Sequence, residues 1–185
     1  NDARVMRSTD LALWEVASPG SPTFVEYFSG LAEDDGTITA VGACGTLLDA
    51  PASSELPLTP EAWSRRGGVT GVQRNYFQLS HLANHDANVV AVGSGGLNFH
   101  SDDGGSTWHR GPDGSFEGFY GLAWGAGRFV RTYQAGIESS ADGVTWKISK
   151  TRDARAVTFG NGLFVAVRSS GGFVVSADGR IWTEA

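Results

Sequence analysis

The chain has 185 residues, enough for one sizeable hydrophobic core or two small ones, and it carries 26 glycines, 6 tryptophans and 10 phenylalanines. That mixture predicts many short strands joined by tight turns, and no capped run of helical period stands out. A net charge of −6 argues against the concentrated basic face that nucleic acid or an anionic membrane surface requires, and no apolar run approaches the roughly 20 residues of a membrane span.

In chain order, the first predicted element is a hairpin at 4–16 that contains "STDLALW" at 8–14. Four longer units follow, at about 19–66, 67–111, 115–150 and 153–185. Each unit carries a segment that aligns with the others without gaps: "GLAEDDGTIT" from Gly30, "HLANHDANVV" from His81, "GLAWGAGRFV" from Gly121 and "AVTFGNGLFV" from Ala156. Each segment runs on into a second strand and a glycine-rich turn. A polar box closes three of the units: "SDDGGSTW" at 101–108, "SADGVTW" at 140–146 and "SADGRIW" at 176–182. In the first unit Pro51, Pro57 and Pro60 replace the box with a longer loop. Tryptophans at 14, 63, 108, 146 and 182 mark the same beat.

A period near 40 residues, built of four short strands with glycine turns, is the sequence signature of propeller blades. The expected fold is therefore all-β, a β-propeller of four-stranded blades, with four full blades preceded by half of another. In the third unit the strands are predicted at 119–124, 128–133, 136–140 and 144–149. Because the last unit ends in its own fourth strand, the N-terminal hairpin is not simply a closing strand. It belongs either to an incomplete fifth blade or to a larger propeller whose missing strands lie upstream, on a second chain or in a self-associated copy, since open sheet edges are otherwise left.

Ser101, Asp103, Gly105, Thr107 and Trp108 resemble the Ser/Thr-x-Asp-x-Gly-x-Thr-Trp pattern of the bacterial neuraminidase repeat, or Asp-box. Ser140, Asp142 and Trp146, and likewise Ser176, Asp178 and Trp182, follow it in boxes one residue shorter. The resemblance spans nearly the whole chain and implies a propeller of the sialidase-like superfamily. It leaves activity open, because sialidases, other glycoside hydrolases, sortilin-like receptors and photosystem II assembly factors are all similar at this level. Physically the box reads as a staple: the aspartate accepts backbone N–H groups, the glycine takes a conformation that a Cβ penalises, and the tryptophan packs between blades. A Ca²⁺ role for Asp102 and Asp103 is weighed and set aside, since paired aspartates in a turn are usually solvated or hydrogen-bonded.

The resemblance also implies that one face, made by the connections between units and the second-to-third-strand turns, carries the site. These connections supply Glu26, Tyr27, Arg65, Arg66, Arg74, Tyr76, Glu117, Tyr120, Arg152, Asp153 and Arg155. Tyr76, Tyr120, Arg74 and Arg155 are the candidate ligand contacts, because aromatic faces with arginines and carboxylates suit sugar rings or anionic glycans, through stacking and bidentate pairing. Twelve arginines against two lysines point the same way. Sialidase chemistry would need three arginines, a Tyr–Glu pair and an aspartic acid. Arg74, Arg152 and Arg155 with Tyr27 or Tyr120 and Glu26 or Glu117 supply the residue types, but the Arg-Ile-Pro signature is absent and four units fall short of six blades.

Cys44 is the single cysteine, so neither an internal disulfide nor a thiolate cluster forms, and its Gly-Ala-Cys-Gly setting reads as a packed turn. His81 and His85 fall in a first strand and its turn, and His100 and His109 flank a box, so no metal site and no cofactor are expected. No Gly-x-Ser-x-Gly elbow, phosphate loop or zinc spacing is present. The chain begins at Asn1 without Met, as expected if a signal peptide or other upstream sequence has been removed, and the expected setting is an exported or surface-displayed bacterial protein. The expected function is a non-catalytic, lectin-like module that binds glycan or protein through the loop face. The alternatives are a sialidase-like glycoside hydrolase or lyase completed by missing strands, and an assembly scaffold similar to the photosystem II assembly factors.

Overall fold

The computed structural model describes residues 79–111, 118–149 and 153–185 in full, and the backbone of six strands before them. β1 (Val5–Arg7) and β2 (Glu15–Ser18) form a two-stranded antiparallel sheet. β3 (Phe28–Asp34), β4 (Thr37–Gly42), β5 (Leu47–Pro51) and β6 (Ser64–Arg65) form the first four-stranded meander. The second comprises β7 (Leu79–His85), β8 (Asn88–Gly93), β9 (Asn98–Ser101) and β10 (His109–Arg110). The third comprises β11 (Phe119–Gly125), β12 (Arg128–Tyr133), β13 (Gly136–Ser140) and β14 (Lys147–Ile148). The fourth comprises β15 (Ala154–Gly160), β16 (Leu163–Arg168), β17 (Phe173–Ser176) and β18 (Thr183–Glu184). First strands of successive sheets lie side by side, β3 by β7, β7 by β11 and β11 by β15.

The strand sequences explain this stacking. A sheet covered on both faces needs apolar residues at odd and even positions alike. In β8 Val89 and Ala91 join Leu79, Leu82, Leu97 and Phe99 on one side, while Val90 and Val92 pack on the other against Phe119, Leu122, Phe129 and Tyr133 of the third sheet. Ala123, Val130 and Ile137 then meet Ala154, Phe164, Ala166 and Val174 of the fourth. Each such Val or Phe contributes about 1.5–3 kcal/mol by leaving water. Gly121 sets the spacing of the inner strands, since a Cβ there would lie 2.9 Å from Val157 N and 3.2 Å from Ala156 Cα.

The inner three strands of the third sheet fall where the sequence predicts them, but the outermost is only Lys147–Ile148. Residues before it are held in a turn, with the N–H groups of Val144 and Thr145 donating to Asp142 Oδ1 at 2.9 and 2.8 Å. Backbone donors committed to a carboxylate cannot join a ladder.

The fourth sheet differs from its neighbours on its far face. Val167 and Phe173, cross-strand partners, are 40% and 52% exposed. Their register equivalents in the third sheet, Thr132 and Ile137, are fully buried.

Candidate functional site: a cleft at the strand bulges

The two ends of the sheets are built differently. At one end, where each third strand stops, lie the Ser-x-Asp turns. Ser101 Oγ donates to Asp103 Oδ1 at 2.7 Å and accepts the Gly105 N–H at 2.8 Å. Asp103 also accepts the N–H and hydroxyl of Thr107, at 2.8 and 2.6 Å, and Trp108 Nε1 donates to the Gly105 carbonyl at 2.8 Å. Ser140 and Ser176 accept the N–H groups of Gly143 and Gly179 in the same way, at 2.9 and 2.8 Å. The hydrogen bonds from Thr107, with that from Ser101, hold the Asp103 carboxyl well below the usual carboxylate range. Asp142 is lowered too: burial opposes its charge, but donors from Thr145, Ser140 and Val144 outweigh it. The Ile181 and Arg180 N–H groups lower Asp178. Every donor here comes from within the turn or its own strand end, so these residues hold the repeat together.

The other end, where the first strands begin and the second strands stop, carries a cleft of about 400 Å³ lined by Ser80, His81, Ser94, Gly118, Phe119, Tyr120 and Arg155. Its walls come from one recurring irregularity. Each first strand slips register once near its start, between Leu79 and His81, Phe119 and Gly121, and Ala154 and Ala156. The extra residues are Ser80, Tyr120 and Arg155, and β3 slips at the matching place, between Phe28 and Gly30. A bulge frees one residue from the ladder and re-aims its side chain, and here the three re-aimed side chains share one cleft. Gly118, at φ +83°, lets β11 enter closely beside the 3₁₀ turn Ser94–Gly96; a Cβ there would sit 3.0 Å from Ser94 Cα.

The charge in the cleft is held in place. The Arg155 guanidinium lies 4.6 Å from the centre of the Tyr120 ring, within the range of a cation–π contact. Its Nε donates to Ser169 Oγ at 2.6 Å. Ser169 Oγ in turn donates to Asp153, whose other oxygen accepts the Ser170 N–H at 2.8 Å. The Ser169 bond, followed by those from Ser170 and the nearby Arg155 charge, lowers Asp153. Also in the lining, Ser80 Oγ and His81 Nδ1 are 2.8 Å apart, and burial pushes the His81 imidazole toward its neutral form. The lining thus offers a guanidinium, hydroxyls and aromatic faces, a set suited to hold an anionic or planar group.

Of the four predicted ligand contacts, Tyr120 and Arg155 meet in this cleft. Arg74 and Tyr76 lie outside the described residues, as do Glu117 and Arg152. His81, placed by the sequence in a first strand, forms part of the wall, while His85 stacks on Trp124 with ring centres 4.3 Å apart. His100 and His109 are cross-strand partners in the second sheet. Among the described residues no group of three or more His, Cys, Asp or Glu side chains is placed to hold a metal. Sequence reasoning missed Ser80 and Ser94. The signal for Ser80 was available: it immediately precedes the aligned block from His81, as Tyr120 and Arg155 precede theirs.

No family model matches the sequence, and no curated protein matches it. Solved structures do. The computationally designed Ika4 protein superposes with a TM-score of 0.62 at 16% identity, covering 86% of this chain and 96% of that one. YCF48 bound to D1 peptide gives 0.64 at 18%, covering 88% and 55%, and a chain of the nidogen/laminin complex gives 0.67 at 13%, covering 92% and 68%. This chain therefore spans nearly all of Ika4 but about half of YCF48. At these identities the likeness concerns the fold, and with the repeated four-stranded meanders it makes the architecture that of a β-propeller.

Proposed function

We propose that this propeller is a non-catalytic recognition module that holds an acidic polypeptide segment in the cleft at the strand bulges. One observation carries the reading: Arg155 is fixed over the Tyr120 ring by Ser169 and Asp153, so a guanidinium and an aromatic face are presented together before any ligand arrives. A carboxylate of the ligand pairs with the guanidinium, and the hydroxyls of Ser80 and Tyr120 take its remaining polar groups. Structural neighbours whose printed names include a bound peptide or a protein complex support the polypeptide class.

A glycan is the second reading, since an acidic sugar stacks on the same ring and pairs with the same guanidinium. Parallel arrays of acidic peptides and acidic glycans, probed with the wild type and the Tyr120→Ala/Arg155→Ala variant, separate the two. The expected result is selective peptide binding that weakens about tenfold or more in the variant while the melting temperature stays within error. Binding confined to glycans moves the assignment to a lectin-like module. Binding untouched by the double substitution removes the cleft from the function.

A further inference from the structure

The register slip that brings Ser80, Tyr120 and Arg155 into the cleft recurs in a fourth first strand, β3. There the cross-strand partner steps from Gly42 at Phe28 to Val41 at Gly30, as in β7 it steps from Gly93 at Leu79 to Val92 at His81. The extra residue of β3 is therefore Ser29. The sequence around it keeps the same order: Phe28-Ser29-Gly30-Leu31 matches Phe119-Tyr120-Gly121-Leu122. In the other three sheets the residue before the bulge, Leu79, Phe119 or Ala154, is buried and anchors the strand start.

Two further facts tie this position to the site. β3 lies beside β7 as β11 lies beside β15. Gly30 also holds the register position of Gly121, where the missing side chain admits the next first strand: a Cβ on Gly121 would lie 3.2 Å from Ala156 Cα, the residue after Arg155. In strand position, the step from Ser29 to Ser80 repeats the step from Tyr120 to Arg155. Of the four bulge residues only Arg155 is charged, and the other three are hydroxyl side chains. That order gives the row a direction, with an anion site at the β15 end and neutral hydrogen-bonding groups toward β3. Building on the recognition role proposed above, we infer that Ser29 is a further contact residue. The acidic segment then lies extended across all four first strands, its carboxylate at β15 and its uncharged polar groups toward β3. Stacked sheets lie about 10 Å apart and an extended chain advances about 3.3 Å per residue, so the three steps need at most about nine residues.

Fluorescence polarisation on the 185-residue chain tests this with two series of synthetic peptides. One carries a single glutamate in a Gly/Ser chain, and the other carries two glutamates separated by Gly/Ser spacers of increasing length. Ser29→Arg is expected to bind the doubly acidic peptide of one spacing about tenfold tighter than the wild type does, the gain of one charge-assisted hydrogen bond. Ser80→Arg, one sheet nearer Arg155, is expected to gain at a shorter spacing. Ser29→Glu, of opposite sign, should weaken the same peptides. All three residues replaced lie at a bulge, so the melting temperature is expected to hold. A Ser29→Arg variant that gains at no spacing, or at one no longer than Ser80→Arg prefers, overturns the four-strand row. If the single-glutamate peptides still lose binding in Arg155→Ala, the cleft itself stands. Peptide binding that Arg155→Ala leaves intact, or no binding of either series by the wild type, overturns the row and the recognition role together.

Discussion

Gly143 shows how much a single position carries. It stands at φ +75°, and an added Cβ would lie 2.4 Å from Val90 Cγ2 on the neighbouring sheet. A side chain there meets a backbone penalty of about 1–2 kcal/mol and a core with no room to yield. Gly179 repeats the arrangement one sheet on, at φ +68° and 2.8 Å from Val130 Cγ2. Gly143→Ala is therefore expected to lower stability by about 2–5 kcal/mol in urea denaturation, summing the left-handed and overpacking costs. By contrast Gly127→Ala, at φ +73° with nothing within 4 Å of its Cβ, isolates the backbone part alone, about 1–2 kcal/mol. Equal losses at the two sites would mean that the sheets are farther apart than described.

At the scale of the element, the two ends of each sheet divide the labour between holding and presenting. The tryptophans that close the turns are graded by their surroundings. Trp146 Nε1 donates to the Gly143 carbonyl at 3.0 Å, and the Arg131 guanidinium lies 3.8 Å from its ring centre, itself paired with Glu138 at 2.6 Å. Trp182, on the terminal sheet, has its Nε1 buried without a hydrogen-bond partner. Trp146→Ala is expected to cost ~3–5 kcal/mol, and Trp182→Ala distinctly less, in paired thermal and urea melts. The polar turns and glycine pairs that bracket these strands were legible in the sequence because turn chemistry is local. The cleft was legible only in part. Tyr120 and Arg155 drew notice as an aromatic and a cation near strand starts, but what makes them neighbours is the register slip, a property of pairing between strands. Ser80 and Ser94 carry no chemical flag of their own, and only the pairing brings them to the wall.

For the whole molecule, the depressed carboxylates Asp103, Asp142 and Asp178 are spread over three sheets, so their protonation acts on the array together. Each folded value lies below the unfolded one, so the stability they contribute is fully present above the ordinary aspartate value near 3.8 and is withdrawn as pH falls through the lower folded values. Thermal melts from neutral to strongly acid pH should stay level down to about pH 5 and fall steeply below it. Replacing Asp103 and Asp178 together by asparagine should flatten that fall while lowering the plateau. An acid profile that the double substitution leaves unchanged would locate the sensitivity elsewhere.

The repeated slip in the first strands has a consequence for how such a protein changes. Because the extra residue at each bulge lies outside the ladder, Ser80, Tyr120 and Arg155 are three unlike letters set on identical staves. Any of them can be rewritten without disturbing the pairing on either side. If the proposed cleft is the recognition site, its specificity is spelled one letter per sheet, around a frame that does not need to know the word.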